Sequence, residues 1–233
     1  MTTAAVIPAA GRGERLGPGA PKALRELGGQ PMLVHAVHAM ANARSVDLVV
    51  VAAPADELDS VRVLLAPVGG DTPVLVVAGG ETRQDSVGRA LATLPDDVDV
   101  VLVHDAARPL APPELADAVV ATVRSGADAV VPGVVLADTV KQVDPAGRVE
   151  ATPDRESLRA IQTPQGFRRD VLQRAHAEAA GQVATDDAGL VERIGRTVLV
   201  VPGSEEAFKV TRPLDLAVAE VVLARRRRAG GTA

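Results

Sequence analysis

The sequence predicts an α/β protein: a mostly parallel sheet in three layers, with helices on both faces. Three observations lead there. Short Val-rich runs recur along the chain, amphipathic helical patterns lie between them, and the runs are continuously apolar rather than alternating. A strand that is apolar at every position is covered on both faces, which is the condition of a parallel strand between helical layers. Strand and helix in alternation make right-handed βαβ units, and such units assemble a parallel sheet. At 233 residues the chain suits one domain with a sizeable core.

The elements follow in order. AAVIP (Ala4 to Pro8) is the first strand, and a helical pattern spans Met32 to Ala43. LVVVAA (Leu48 to Ala53) leads to a helix over Glu57 to Leu65, and VLVVAG (Val74 to Gly79) to one over Gln84 to Leu94. VVLVHD (Val100 to Asp105) precedes a helix over Pro113 to Arg124. AVVPGVVL (Ala129 to Leu136), a helix over Asp170 to Ala180, VLVVPG (Val198 to Gly203) and a last helix from Leu214 to Arg228 complete the set. One stretch, residues 136–160, breaks the rhythm with two short β-like pieces around the turn signal DPAG. It reads as a β-arm protruding from the single domain. Isolated hairpins are marginal in water, so the arm is expected to pack on a second subunit.

Composition narrows the function. Phe167 and Phe208 are the only aromatic residues, so the stacking of bases that serves single-stranded nucleic acid is almost absent. A net charge of −5 argues against a broad polyanion surface, and no nucleic-acid partner is expected. With no cysteine, disulfides, thiolate metal sites and cysteine nucleophiles are excluded, which fits a reducing cytoplasm. No apolar run approaches the ~18 residues of a membrane span. The first apolar run is cut short by Pro8 and no basic n-region precedes it, so a soluble intracellular protein without a membrane partner is expected.

The loop from Pro8 to Lys22, dense in glycine and proline, leaves the carboxyl end of the first strand, where open α/β sheets bind ligands. It lacks the Gly-Lys-Ser/Thr of a Walker A loop, and a G-x-G-x-x-G reading fails because the third position is Leu16. What remains is Gly11 and Gly13 exposing backbone N–H groups, with Arg15 and Lys22 nearby. Such a loop can cradle a triphosphate, the amides forming an anion nest and the cations neutralising charge. The plainer alternative is a surface loop with stray basic residues. Its place after the first strand favours phosphate binding.

Three further stretches carry two readings each. In VHDAARP, Asp105 ends a buried strand and either binds Mg²⁺ beside a triphosphate or satisfies a nearby turn, whereas His104 reads as packed rather than catalytic. In AGGETRQDSV, either Asp85 or Ser86 caps the next helix, or the loop reads a nucleobase edge; composition alone favours the cap. In FKVTRPLDL, Lys209 points away from Phe208 and Val210, toward solvent or an anionic ligand. The run Arg225 to Arg228 reads as a solvated helix end.

The segments IPAAGRGERLGPGAPK, GGETRQDS, VHDAARP, DTVK, TPQGF, TDDA and FKVTRPLDL occur in this order. In that combination the chain resembles the 2-C-methyl-D-erythritol 4-phosphate cytidylyltransferases of the non-mevalonate isoprenoid pathway, from about Ala4 to Leu223. The resemblance implies a Rossmann-like nucleotidyltransferase fold and a homodimer formed through the arm. It implies transfer of the cytidylyl group of CTP to methylerythritol phosphate, with Mg²⁺ as cofactor and pyrophosphate as second product. Carried over by position, Arg15, Lys22, Arg155 and Lys209 are the catalytic cations. Pro8, Ala9, Ala10, Gly11, Gly13, Gly80, Glu81, Ser86 and Asp105 contact the nucleotide, Asp105 also holding the metal. Arg108, Thr139, Arg155, Thr163, Thr185, Lys209 and Thr211 surround the acceptor, with Arg155 reaching into the partner's site. Glu81 stands where the family pattern has Asp. The nearest rival is a cytidylyltransferase for a pentitol phosphate such as ribitol 5-phosphate, and a non-catalytic nucleotide-binding module is a third reading.

Overall fold

The computed structural model describes residues 1–11, 21–179 and 184–230. In chain order its elements are β1 (Thr2–Pro8), β2 (Glu26–Leu27), β3 (Gln30–Pro31), α1 (Met32–Ala41), β4 (Leu48–Ala53), α2 (Leu58–Leu65), β5 (Val74–Ala78) and α3 (Arg83–Leu91). Then follow β6 (Val98–Val103), α4 (Pro113–Arg124), β7 (Ala129–Val135), β8 (Gln142–Val143), β9 (Val149–Ala151), β10 (Arg159–Ile161) and β11 (Gln165–Arg168). The last are α5 (Arg169–Glu178), α6 (Asp187–Arg193), β12 (Val198–Pro202) and α7 (Pro213–Gly230).

The main sheet runs β12-β7-β11-β6-β1-β4-β5, with β10 beside β7 on the same edge as β11. β1 lies parallel to β4 and β6, β5 parallel to β4, and β12 parallel to β7. Pleating sends alternate residues of these strands to opposite faces. Ile7, Val49, Val51 and Leu102 enter one core with α1, α2 and α4; Val6, Val50, Val101 and Val103 enter the other with Val87 of α3 and Leu172 of α5. Both sets are fully buried, which is why the runs read as continuously apolar. The three-layer expectation holds.

Departures from expectation are local. β11 inserts antiparallel between β6 and β7, so the sheet is mixed. β10 pairs antiparallel with the same side of β7, and the register slips between Ile161↔Gly133 and Gly166↔Val130. The extra length lets Thr163 and Pro164 leave the ladder toward the carboxyl end of β6. Gly166 is required in β11 because an added Cβ would collide with Val119 Cγ1 of α4. α6 and the small β2–β3 ribbon also lie where the sequence predicts no element. The helix expected from Gln84 starts at Arg83, and its cap is Thr82 rather than Asp85 or Ser86. Thr82 Oγ1 accepts from the Asp85 N–H while the Asp85 carboxylate accepts from the Thr82 N–H, a reciprocal capping box.

A hairpin lies within residues 136–160, but Arg159 and Ala160, expected in the arm, belong to β10 of the main sheet. β8 and β9 pair antiparallel outside the main sheet, around a turn in which the Asp144 carboxylate accepts from the N–H groups of Ala146 and Arg148. Arg225 to Arg228 are not merely a solvated end. Arg226 pairs with Glu206 and donates to the Leu110 carbonyl at 2.7 Å, and Arg227 donates to the Gly28 carbonyl at 3.0 Å. These contacts pin α7 to the domain.

Candidate active site

The carboxyl ends of β1, β5 and β6 open into one cleft. Pro8, Ala9, Ala10 and Gly11 after β1 form one wall, Gly80 to Arg83 with Ser86 another, and Asp105 to Ala107 the floor; Lys22, Ala23 and Lys209 close it. Ten of the site residues named from sequence thus meet in one place. The second wall depends on a close approach: an added Cβ at Gly80 would collide with Asp85 Cβ, so the turn into α3 takes only glycine there. The Ser86 hydroxyl is 2% exposed, accepts from the Gly80 N–H at 3.0 Å and donates to the Thr82 carbonyl at 2.9 Å. It shapes this loop from within.

Asp105 is the centre of the charge distribution. Arg83 Nε donates to its Oδ1 at 3.0 Å and Lys209 Nζ to its Oδ2 at 2.7 Å. Burial alone would raise its pKa, but the adjacent charges of Arg83 and Lys209 outweigh that and hold the carboxyl below the usual carboxylate range. The anion that Lys209 faces is therefore the protein's own. Its backbone is fixed as well: the Asp105 N–H donates to Thr163 Oγ1 at 3.0 Å, and that oxygen lies 3.0 Å from His104 Nδ1. Burial depresses the His104 pKa to about 4, so the ring is neutral. Its Nε2–H donates to the Arg108 carbonyl at 3.2 Å, which leaves Nδ1 to accept the Thr163 hydroxyl proton. His104 is a packed residue, as its sequence context predicts.

The remaining named residues lie around the cleft rather than in its lining. Arg108 sits behind Asp105 and donates to the carbonyls of Ala207 at 2.6 Å and Ile161 at 3.2 Å, with its Nε buried and unpartnered. Burial, with the nearby Arg83, lowers its pKa. Thr211 lies in an adjoining hollow with Lys209, Arg212 and Asp215, its hydroxyl donating to Asp215 Oδ2 at 2.8 Å. Thr185 is exposed just before α6, and Thr139 is exposed at the root of the arm. Arg155 is on the arm, where Nη1 donates to the Ala137 carbonyl at 2.8 Å. Gly13 and Arg15 lie outside the described residues. Sequence reasoning missed Arg83 and Asp187. Both stand inside motifs already singled out, GGETRQDS and TDDA, but nothing local shows that they pair across 104 positions.

Among the described residues no group of three His, Cys, Asp or Glu can hold a metal by protein ligands alone. The donor set fits Mg²⁺ of a different kind. A single ionised carboxylate at the cleft floor is what an ion coordinated mainly by phosphate and water needs.

The fold and cleft together define a class, the α/β enzymes that handle nucleotides at the carboxyl edge of a parallel sheet. A family model described as 2-C-methyl-D-erythritol 4-phosphate cytidylyltransferase matches residues 3–225, and the chain belongs to that family. A curated relative of that description from Streptomyces avermitilis is 62% identical over 233 residues, covering 97% of this chain and 93% of the relative. One from Frankia casuarinae is 62% identical over 222 residues, covering 95% and 81%. The crystal structure of 4-diphosphocytidyl-2C-methyl-D-erythritol synthase from Anaerococcus prevotii superposes with a TM-score of 0.84 at 29% identity, covering 96% of each chain. That of the cytidylyltransferase from Thermus thermophilus gives 0.75 at 34% identity, covering 95% and 98%.

Proposed function

We propose that the cleft transfers the cytidylyl group of CTP to 2-C-methyl-D-erythritol 4-phosphate, giving 4-CDP-2-C-methyl-D-erythritol and pyrophosphate. The observation that carries this reading is the ionised Asp105 at the end of β6, flanked by Lys209 and facing the β1 loop with Lys22, in a chain of this family. An oxygen of the acceptor phosphate attacks the α-phosphorus of CTP; a P–O bond forms, the bond to the β-phosphate breaks in line, and pyrophosphate leaves. No protein nucleophile takes part. Charge builds on a five-coordinate phosphorus, and positioned cations supply most of the stabilisation.

In this reading Lys22 and Arg15 meet that developing charge, while the N–H groups of Gly11 and Gly13 hold the triphosphate. Gly80, Glu81 and Ser86 form the wall for cytosine and ribose. Mg²⁺, when bound at Asp105, supplies charge neutralisation on the phosphates. Lys209, Thr211, Arg108, Thr139, Thr163 and Thr185 enclose the acceptor. Arg155 reaches it in the partner subunit's site, which gives the arm its purpose in a homodimer. Among the described residues no helix is long and apolar enough to cross a membrane. The compartment proposed is the cytoplasm, whose reducing conditions the cysteine-free chain fits.

The test is pyrophosphate release from CTP and Mg²⁺, with methylerythritol phosphate or ribitol 5-phosphate offered separately. Release with methylerythritol phosphate alone is expected. Release with ribitol 5-phosphate only would overturn the acceptor, and silence with both would overturn the activity.

A further inference from the structure

Arg83 lines the cleft, yet no role falls to it in the reading above. Its two bonds go to carboxylates on opposite sides. Nε donates to Asp105 Oδ1 at 3.0 Å, and Nη1 donates to Asp187 Oδ2 at 2.6 Å. Asp187 is 1% exposed, and its other oxygen lies 2.9 Å from His176 Nε2 of α5. Asp187 is itself fixed by the start of α6. There the Asp186 carboxylate accepts from the Gly189 N–H at 3.0 Å and from Gln165 Nε2 at 2.7 Å. Arg83 is thus held from behind by a carboxylate that has no place in the cleft lining.

The charges explain what this anchoring does. Asp105 and Asp187 carry two negative charges, and Arg83 and Lys209 two positive ones. Were Arg83 absent, Lys209 would be the sole cation hydrogen-bonded to a buried carboxylate, with only Arg108 behind it, and leaving it would strip that carboxylate of its last direct ionic partner. With Arg83 in place, the more exposed Lys209 can turn to an arriving anion while Asp105 stays compensated. We propose that Arg83 is a positioning residue: anchored by Asp187, it orients and neutralises Asp105 so that Lys209 is released to the acceptor phosphate. This rests on the reading of the cleft as the cytidylyl-transfer site.

The experiment is a kinetic double-mutant cycle of Arg83→Met, Asp105→Asn and the double variant, with Asp187→Asn beside it and melting temperatures for all. Arg83→Met is expected to lower kcat and raise KM for methylerythritol phosphate, each by roughly 10-fold, as loss of an outer partner of a ligating carboxylate does. Asp187→Asn should do the same to a smaller degree. In the Asp105→Asn background Arg83→Met should cost nothing further, because its effect runs through Asp105. Losses that multiply would show Arg83 touching substrate directly, and a lower melting temperature with unchanged kcat and KM would show a merely structural tie; either overturns the proposal. Should Arg83→Met not fold, Arg83→Lys takes its place in the cycle, since one ammonium keeps the charge but cannot span both carboxylates. Turnover by the unaltered protein separates the two levels. Its absence removes the cytidylyl-transfer reading, whereas additive losses in an active enzyme remove the role of Arg83 alone.

Discussion

Arg83–Asp105 in the cleft and Arg148–Asp144 in the arm are both arginine–aspartate pairs, with nitrogen–oxygen distances of 3.0 and 2.8 Å. The shorter pair is the weaker. Arg148 is 82% exposed, so water and salt screen its attraction, whereas Asp105 is buried at the cleft floor and shares Arg83 with a second buried carboxylate. Distance therefore says little about strength here, and burial says most of it. The difference extends to the surroundings. The cleft cluster is completed within one chain, each carboxylate oxygen of Asp105 and Asp187 having a partner. The arm fixes its own turn but leaves Val143 and Val149 more than half exposed.

The sharpest break of this comparison falls on Lys22, which helps close the cleft. Lys22→Ala is expected to lower kcat by about 10²–10³, as removal of one preorganised stabiliser of developing charge does, without shifting the melting curve. Wild-type-like kcat would sink the proposed role. Next in size is Asp187→Ala, which removes one of the two carboxylates that hold Arg83 and the carboxylate beside His176. A loss of about 3 kcal/mol in urea unfolding is expected, toward the low end for breaking a buried ion pair because Arg83 is 30% exposed.

An acid titration separates the cluster from its neutral neighbour. The folded pKa of His104, about 4, lies below its ordinary 6.5, so the unfolded chain binds the extra proton first. Its contribution is complete above pH 6.5 and lost as pH falls toward 4, about 3 kcal/mol in all. The depressed carboxyls of Asp105 and Asp187 act only lower, below their ordinary 3.8. In His104→Gln the slope of stability between pH 6.5 and 4 should flatten, and an unchanged slope would place the buried proton elsewhere. On the arm, Val143→Asp with Val149→Asp should convert the proposed dimer to monomer in sedimentation equilibrium while leaving the unfolding midpoint of the separated chain alone. Smallest of all, Arg148→Ala should leave both unfolding and turnover within experimental error.

The same contrast shows what the sequence could disclose. β1, β4 and β6 were readable because burial on both faces demands unbroken apolar runs, and the helices between them because their apolar positions repeat at helical spacing. β11 was not. Its four residues, QGFR, hold one large apolar side chain, Phe167, and its central place comes from two neighbours that arrive earlier in the chain. α6 is only seven residues long with Gly189 inside it, and its beginning is marked by the Asp186 cap alone. The cleft residues on the β1, β5 and β6 loops were legible because carboxyl strand ends gather there. Arg83–Asp187 was not, since an ion pair between residues 104 positions apart leaves no periodic trace.

The place of β11 also sets an order for making the molecule. β5, β4, β1 and β6, with the helices between them, form a contiguous parallel block whose parts all precede β7 in synthesis. β7 follows at once but cannot dock, because its seat lies beyond a strand that is still unwritten. The roughly 30 residues separating the two take about 2–6 s at ordinary elongation rates. During that time an apolar strand waits with both edges open, and Pro132 in its middle removes the backbone donor on which a foreign strand would pair. Replacing that proline would leave the finished fold nearly as it is and expose the nascent chain instead.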